Sequence, residues 1–295
     1  STFVQGENII AIRALGPWNN KVAIGRGDNM HIAINNNAVS LAGDWQFNNA
    51  LEGSLPMPIK MNQKPSVLYN AMIHPLINYP LTGVIWYQGE SNTQSPTQYA
   101  ELFRKMITAW RHAWQQPKLP FIFAQLAGMH PVRDKPMDSN WALLREAQAQ
   151  TLTLNDTAMA VLIDAEEAYD IHPLNKQIVA ERLYKAAKGL VYHDNVPYVG
   201  PTASGFYTSG ATLVVSFDNL QSGFPLNGPL KGFELAGIDG KYYNADATIT
   251  GNNIHLTASH VQKPTSVRYA WADNSAANLY NNAGLPAVPF RMGEK

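Results

Sequence analysis

Two short polar stretches hold the residues most able to do chemistry. The first is Trp86-Tyr87-Gln88-Gly89-Glu90-Ser91-Asn92, which follows the apolar run Gly83-Val84-Ile85-Trp86-Tyr87. A buried strand that runs out into this sequence sets amide and carboxylate groups at the carboxyl edge of a sheet, where open α/β folds build their sites. The second is Asp170-Ile171-His172-Pro173. A neutral imidazole titrates at about pH 6.5, so a histidine placed here can serve as a general base, with Asp170 or a main-chain carbonyl orienting its ring. Each stretch also has a plainer reading, as a helix cap or as a polar histidine at a helix start. Two polar loops leaving the same edge of one sheet are what raise them to a candidate site. A nucleophile is missing: the 295 residues contain no Gly-x-Ser-x-Gly elbow. Ser91 is the nearest hydroxyl, and Asp28-Asn29-Met30 echoes a serine motif without the serine.

The remaining titratable groups fit structural roles. His31, His74, His112, His130, His193, His255 and His260 are scattered, and no two histidines share the i, i+4 spacing of a metal-binding helix. Asp164, Glu166 and Glu167 read as a solvated acidic loop. Cysteine is absent, which excludes disulfides, thiolate chemistry and cysteine-built metal sites.

The elements that position these stretches alternate. Strands are expected at 83–87, 120–126 and 159–163, and helices at 66–76, 99–114, 141–152 and 176–189, from apolar runs and helical spacing respectively. Strand and helix in turn predict a parallel sheet covered on both faces, a three-layer α/β domain over residues 47–198. Residues 1–46 alternate apolar and polar, as in Asn8 to Arg13 and His31 to Ile34, and read as part of a β-sandwich that needs strands from elsewhere. Short strands at 212–217, 232–236, 254–256 and 266–269 make residues 199–295 a β-rich domain.

Composition narrows the class. Positive and negative side chains balance at zero net charge, and charged residues are 15% of the chain. No basic footprint points to nucleic acid or to an anionic membrane, and no apolar run approaches the roughly 20 residues that span a bilayer. The chain opens on Ser1 in what reads as mid-domain sequence, so its beginning is expected further upstream.

Four blocks resemble the sialate O-acetylesterase family of carbohydrate esterases, in the SGNH hydrolase group. They are Leu68 to Leu76, Gly83 to Asn92 (GVIWYQGESN), Asp170 to Gln177 (DIHPLNKQ), and the closing pair Val267 to Trp271 and Asn278 to Arg291. The resemblance implies a flavodoxin-like three-layer fold with an inserted β-sandwich. It also implies a nucleophilic serine in a Gly-Gln-Ser-Asn block that lies upstream of this sequence. In that scheme His172 is the base, the amide of Gln88 receives the oxyanion, and Glu90 holds its loop by hydrogen bonds. Many SGNH enzymes place an aspartate three residues before the histidine, where Tyr169 stands here. Asp170 stands two before, off the family position, which leaves two readings open: Asp170 as the orienter, or a Ser–His dyad without an acid. The implied substrate is an O-acetylated sialic acid or related glycan, without metal or organic cofactor. The implied partner is an N-terminal fragment bearing the serine, and the implied setting is periplasmic or extracellular. A glycan-binding protein without the serine, and an acetylxylan-type esterase, are the rivals on the same fold.

Overall fold

The computed structural model describes residues 4, 6–12, 30–34, 37–46, 64–165, 167–172, 174–225 and 228–293. The chain divides into two compact units, residues 1–76 and 77–295.

In the first unit, β1 (His31–Ile34) and β2 (Asn37–Ser40) form an antiparallel hairpin, with His31 opposite Ser40 and Ile34 opposite Asn37. The strand expected over Asn8 to Arg13 is not formed at residues 8–12, which belong to no ladder. Arg13 and the following residues to 29 lie outside the described residues, as does half of the expected sandwich part at 1–46. The helix expected from 66 to 76 is tighter and wider by turns. Tyr69–Ile73 is a π turn, closed by the His74 N–H on the Tyr69 carbonyl, and His74–Leu76 is a three-ten turn. Pro75 has no N–H to continue a regular ladder.

The second unit holds the α/β layers. In order these are β3 (Val84–Trp86), α1 (Pro96–Ala113), β4 (Phe121–Ala124), α2 (Asn140–Ala149), β5 (Thr157–Ala160) and α3 (Lys176–Leu190). The strands form a parallel sheet in the order β3-β4-β5, with Val84 beside Phe121 and Phe121 beside Thr157. Alternate residues of a strand face opposite sides. Phe121 and Phe123 meet Trp110 and Phe103 of α1, and α2 packs along α1. Ile122, Ala124, Ala158 and Ala160 pack instead with Val179, Leu183 and Ala186 of α3. Helices therefore cover both faces, as the alternation predicts.

One expectation is corrected. The run Gly83 to Tyr87 is not buried on both faces. Trp86 leans on Phe103 and Trp110, but Ile85 is 62% exposed. Ile85 lies on the α3 face, and α3 rests on β4 and β5. β3 is the edge of the sheet among the described residues, so nothing there covers Ile85.

The β-rich part contains β6 (Thr202–Ser209), β7 (Thr212–Asp218), β8 (Phe233–Ala236), β9 (Tyr242–Asn244), β10 (Asp246–Thr250), β11 (Asn253–Thr257), β12 (Ser266–Tyr269) and β13 (Phe290–Gly293). They form two four-stranded antiparallel sheets, ordered β10-β11-β7-β6 and β13-β12-β8-β9. Phe290 touches Phe217 from one sheet and Tyr269 from the other. Polar bonds tie this part to the α/β layers. Arg291 makes a bidentate pair with Glu146 of α2 at 2.8 Å, and Arg145 donates to the carbonyls of Ala272 and Asp273 at 2.7 and 2.9 Å.

Candidate active site

Strand β3 ends at Trp86, and the next six residues fold back on themselves. Glu90–Asn92 is a three-ten turn, closed by the Asn92 N–H on the Gly89 carbonyl at 2.8 Å. The Thr93 hydroxyl donates to the Glu90 carbonyl at 3.0 Å. The bonds by which Glu90 fixes this loop thus run through its main chain. The Gln88 side-chain amide donates to Asn92 Oδ1 at 2.7 Å, which orients its second N–H.

Both flanking helices reach this loop. The Gln88 carbonyl accepts from the Tyr99 hydroxyl of α1 at 3.1 Å and from Gln148 Nε2 of α2 at 3.3 Å. Burial pushes the Tyr99 hydroxyl above its ordinary pKa, so it stays a donor. Gly89 is buried against α2. A Cβ there would sit 3.1 Å from Gln148 Nε2 and from Leu126 Cδ2, so a larger residue at this position must push those side chains aside.

The histidine loop leaves β5 from the same carboxyl end of the parallel sheet. Its side of the site is open: the His172 side chain is 85% exposed, with Nδ1 3.7 Å from Asp170 Oδ1. That same oxygen accepts the His172 main-chain N–H at 2.8 Å. Asp170 therefore shapes the turn and sits beside the imidazole at longer range. Glu167 caps the loop by accepting the Leu174 N–H at 2.7 Å. The two loops meet where Lys176, the first residue of α3, places its ammonium 3.4 Å from the Tyr87 hydroxyl and 4.9 Å from the ring centre. Ser91 is exposed on the Glu90 turn, and its hydroxyl bonds to no histidine among the described residues.

The acidic loop is only partly as expected. Asp164 is not solvated: it takes Arg182 Nη2 at 2.7 Å and the Tyr280 hydroxyl at 2.9 Å. Its partners come from α3 and from the β-rich part, distances in sequence that no local pattern reveals. Glu166 lies outside the described residues. Among the described residues no three His, Asp or Glu side chains gather as a metal ion would require. A cavity of about 810 Å³ runs along β5 beside residues 198–203 and 285–292, and none of Gln88, Glu90, Asp170 or His172 lines it. The residues that sequence reasoning missed are Tyr99, Gln148 and Lys176. Tyr99 and Gln148 had one signal, a polar group on an otherwise core-facing helix stripe, and Lys176, exposed at the start of α3, had none.

A sequence model described as carbohydrate esterase, sialic acid-specific acetylesterase, matches residues 53–177. A sialate O-acetylesterase from Pongo abelii is 35% identical over 269 residues, covering 81% of this chain and 51% of the relative. The one from Mus musculus is 35% identical over 262 residues, covering 76% and 47%. The crystal structure of a carbohydrate acetylesterase from Xanthomonas citri superposes with a TM-score of 0.75 at 40% identity, over 79% of this chain and 55% of that one. The chain thus spans about half the length of these relatives.

Proposed function

Because the chain belongs to the sialate O-acetylesterase family of carbohydrate esterases, we propose that it supplies the proton-transferring half of a serine O-acetylesterase acting on acetylated sialic acid or a related glycan. The observation that carries this reading is the pairing of loops 87–92 and 167–175 at the carboxyl end of one parallel sheet, bridged by Lys176 and Tyr87. The 295 residues hold no Gly-Gln-Ser-Asn block, so the nucleophile is assigned to a serine-bearing segment outside them. The edge of β3 that pairs with no described strand, and the exposed Ile85 beside it, are where such a segment would extend the sheet.

The chemistry is acyl transfer in two steps. The serine oxygen attacks the acetyl carbonyl as the imidazole of His172 takes its proton. The carbonyl oxygen becomes an oxyanion, which the free N–H of the Gln88 amide meets. Collapse of this intermediate breaks the bond to the sugar oxygen, and His172 returns the proton to that oxygen. Water then repeats the sequence on the acyl-serine, with His172 again as base, and acetate leaves. Asp170 steadies the turn that carries the imidazole, and Glu90 steadies the turn that carries Gln88. The family and the low share of charged residues, 15% of the chain, support a periplasmic or extracellular setting, which cell fractionation tests.

The direct test is acetate release from O-acetylated sialic acid by the protein joined with its serine-bearing segment, compared with His172→Ala. Loss of about 10⁶-fold in kcat is expected on the pattern of triads that lose their histidine. Retained activity removes His172 from the mechanism. A glycan-binding protein on this fold would instead bind the sugar and release no acetate from either form.

A further inference from the structure

Gln148 sits on the inner face of α2 and is fully buried, at 0% exposure. A primary amide in an apolar layer is costly unless every bond is made. Here they are made. Oε1 accepts the Leu126 N–H at 2.9 Å, and Nε2 donates to the carbonyls of Ala124 and Gln88, each at 3.3 Å. One side chain therefore ties the carboxyl ends of β3 and β4 together. Leu144, one turn earlier on the same helix face, is equally buried and does the packing. An apolar side chain at 148 would fill the space but take one bond from each of three main-chain groups, of which the Gln88 carbonyl alone is shown to keep another, from Tyr99.

Two of these contacts anchor Gln148 to the end of β4, and the third reaches the loop that holds the oxyanion donor. The Gln88 carbonyl is gripped from α2 by Gln148 and from α1 by Tyr99. Gly89 lets α2 approach, since a Cβ would press on Gln148 Nε2 at 3.1 Å. With its main chain pinned on both sides and its side chain bonded to Asn92, Gln88 has one amide N–H left to aim. We infer that Gln148 is a positioning residue for the esterase reaction: it clamps the Gln88 carbonyl so that the Gln88 side chain meets the oxyanion. This rests on the esterase reading above. Gln148 must be glutamine because it donates and accepts at once. Glutamate loses the donors and methionine loses both functions.

The test uses Gln148→Met, which keeps length and volume, and Tyr99→Phe, which removes the other donor. Both are made in the protein joined with its serine-bearing segment. Amide hydrogen exchange is followed in residues 87–92 and at Leu126, with β12 as the reference for global stability, and kcat and KM are measured on O-acetylated sialic acid. For Gln148→Met, exchange across 87–92 should quicken about tenfold, the size of one lost hydrogen bond, while β12 is unchanged. The kcat should fall about 10²-fold, as for a catalytic group displaced by an ångström, with KM little altered. Tyr99→Phe should reproduce both effects in weaker form. Unchanged exchange in 87–92 overturns the inference. So does a loosened loop with wild-type kcat, and so does a fall in kcat that comes only with faster exchange in β12. If the wild-type protein releases no acetate, the esterase reading fails, and the exchange result alone judges the clamp.

Discussion

Replacing Arg145 should do more damage than replacing any residue in the two candidate loops. Its side chain is 1% exposed and donates to the carbonyls of Leu126 and Ala127 at 2.9 Å, as well as to Ala272 and Asp273. In Arg145→Met these acceptors do not suffer equally. Ala127 keeps the indole N–H of Trp141 at 2.7 Å, and the bonds to Ala272 and Asp273 are partly open to water. The Leu126 carbonyl is deeply buried, and stranding such a group costs about 1–3 kcal/mol. Because those acceptors keep another donor or water, the three other bonds count at about 1 kcal/mol each, which brings the loss to about 4–6 kcal/mol. Methionine has no guanidinium to desolvate, which returns part of this, so a net loss of about 3 kcal/mol is expected. For a unit of this size that is roughly 6–12 °C in Tm. Urea unfolding should show a lower midpoint with an unchanged slope. Arg145→Lys keeps the charge and reaches fewer carbonyls, so it should fall between wild type and methionine. A loss below about 1 kcal/mol in Arg145→Met, or a lysine variant less stable than the methionine one, would refute this reasoning.

Three further outcomes are expected. Gly89→Ala pushes a methyl against Gln148 and Leu126 and should cost about 1–3 kcal/mol as overpacking, read by thermal unfolding. Ile85→Asp changes an exposed residue, so stability should move by no more than about 0.5 kcal/mol, while affinity for the serine-bearing segment is lost in a pull-down. Glu234 is paired with Arg268, yet burial outweighs that attraction and holds its carboxyl above the ordinary carboxylate range. A raised folded-state pKa favours the fold below the unfolded value of about 4.3, and that contribution fades as pH climbs through the folded value. In Glu234→Gln the fall in stability over that window should be shallower than in wild type, as measured by urea midpoints at successive pH values.

How much of this was legible depends on whether the cause is local. The strand at Phe121 to Ala124 is apolar at each position and buried at each position, because a central parallel strand is covered on both faces. The run at Val84 to Trp86 looks the same and is not, because burial of Ile85 depends on what lies next to the sheet edge. Helices α1 and α3 follow from spacing, with Tyr99, Phe103 and Ile107 on one stripe. The break at Tyr69–Ile73 follows from Pro75, which competes with an otherwise helical pattern. The loops bearing Gln88 and His172 were visible as polar groups after apolar strands. Their supports were not. Gln148 and Arg145 look like ordinary polar helix residues, and only the packed fold shows that they face inward onto carbonyls. Asp164 reads as one of three acids in a loop, since its partners Arg182 and Tyr280 arrive from α3 and from the β-rich part. Strands β6, β9, β10 and β13 carry too much polar or exposed sequence to announce themselves, and they are recruited by pairing with β7, β8, β11 and β12.

The most direct measurement is intact mass of the purified protein before and after a serine-directed fluorophosphonate, in wild type and in His172→Ala. The expected result is that a separate serine-bearing segment co-purifies, takes one label in wild type, and takes it far more slowly when His172 is gone. Label on the 295-residue chain itself would place the nucleophile within it, with Ser91 the first residue to test. Equal labelling with and without His172 would contradict its role as the base.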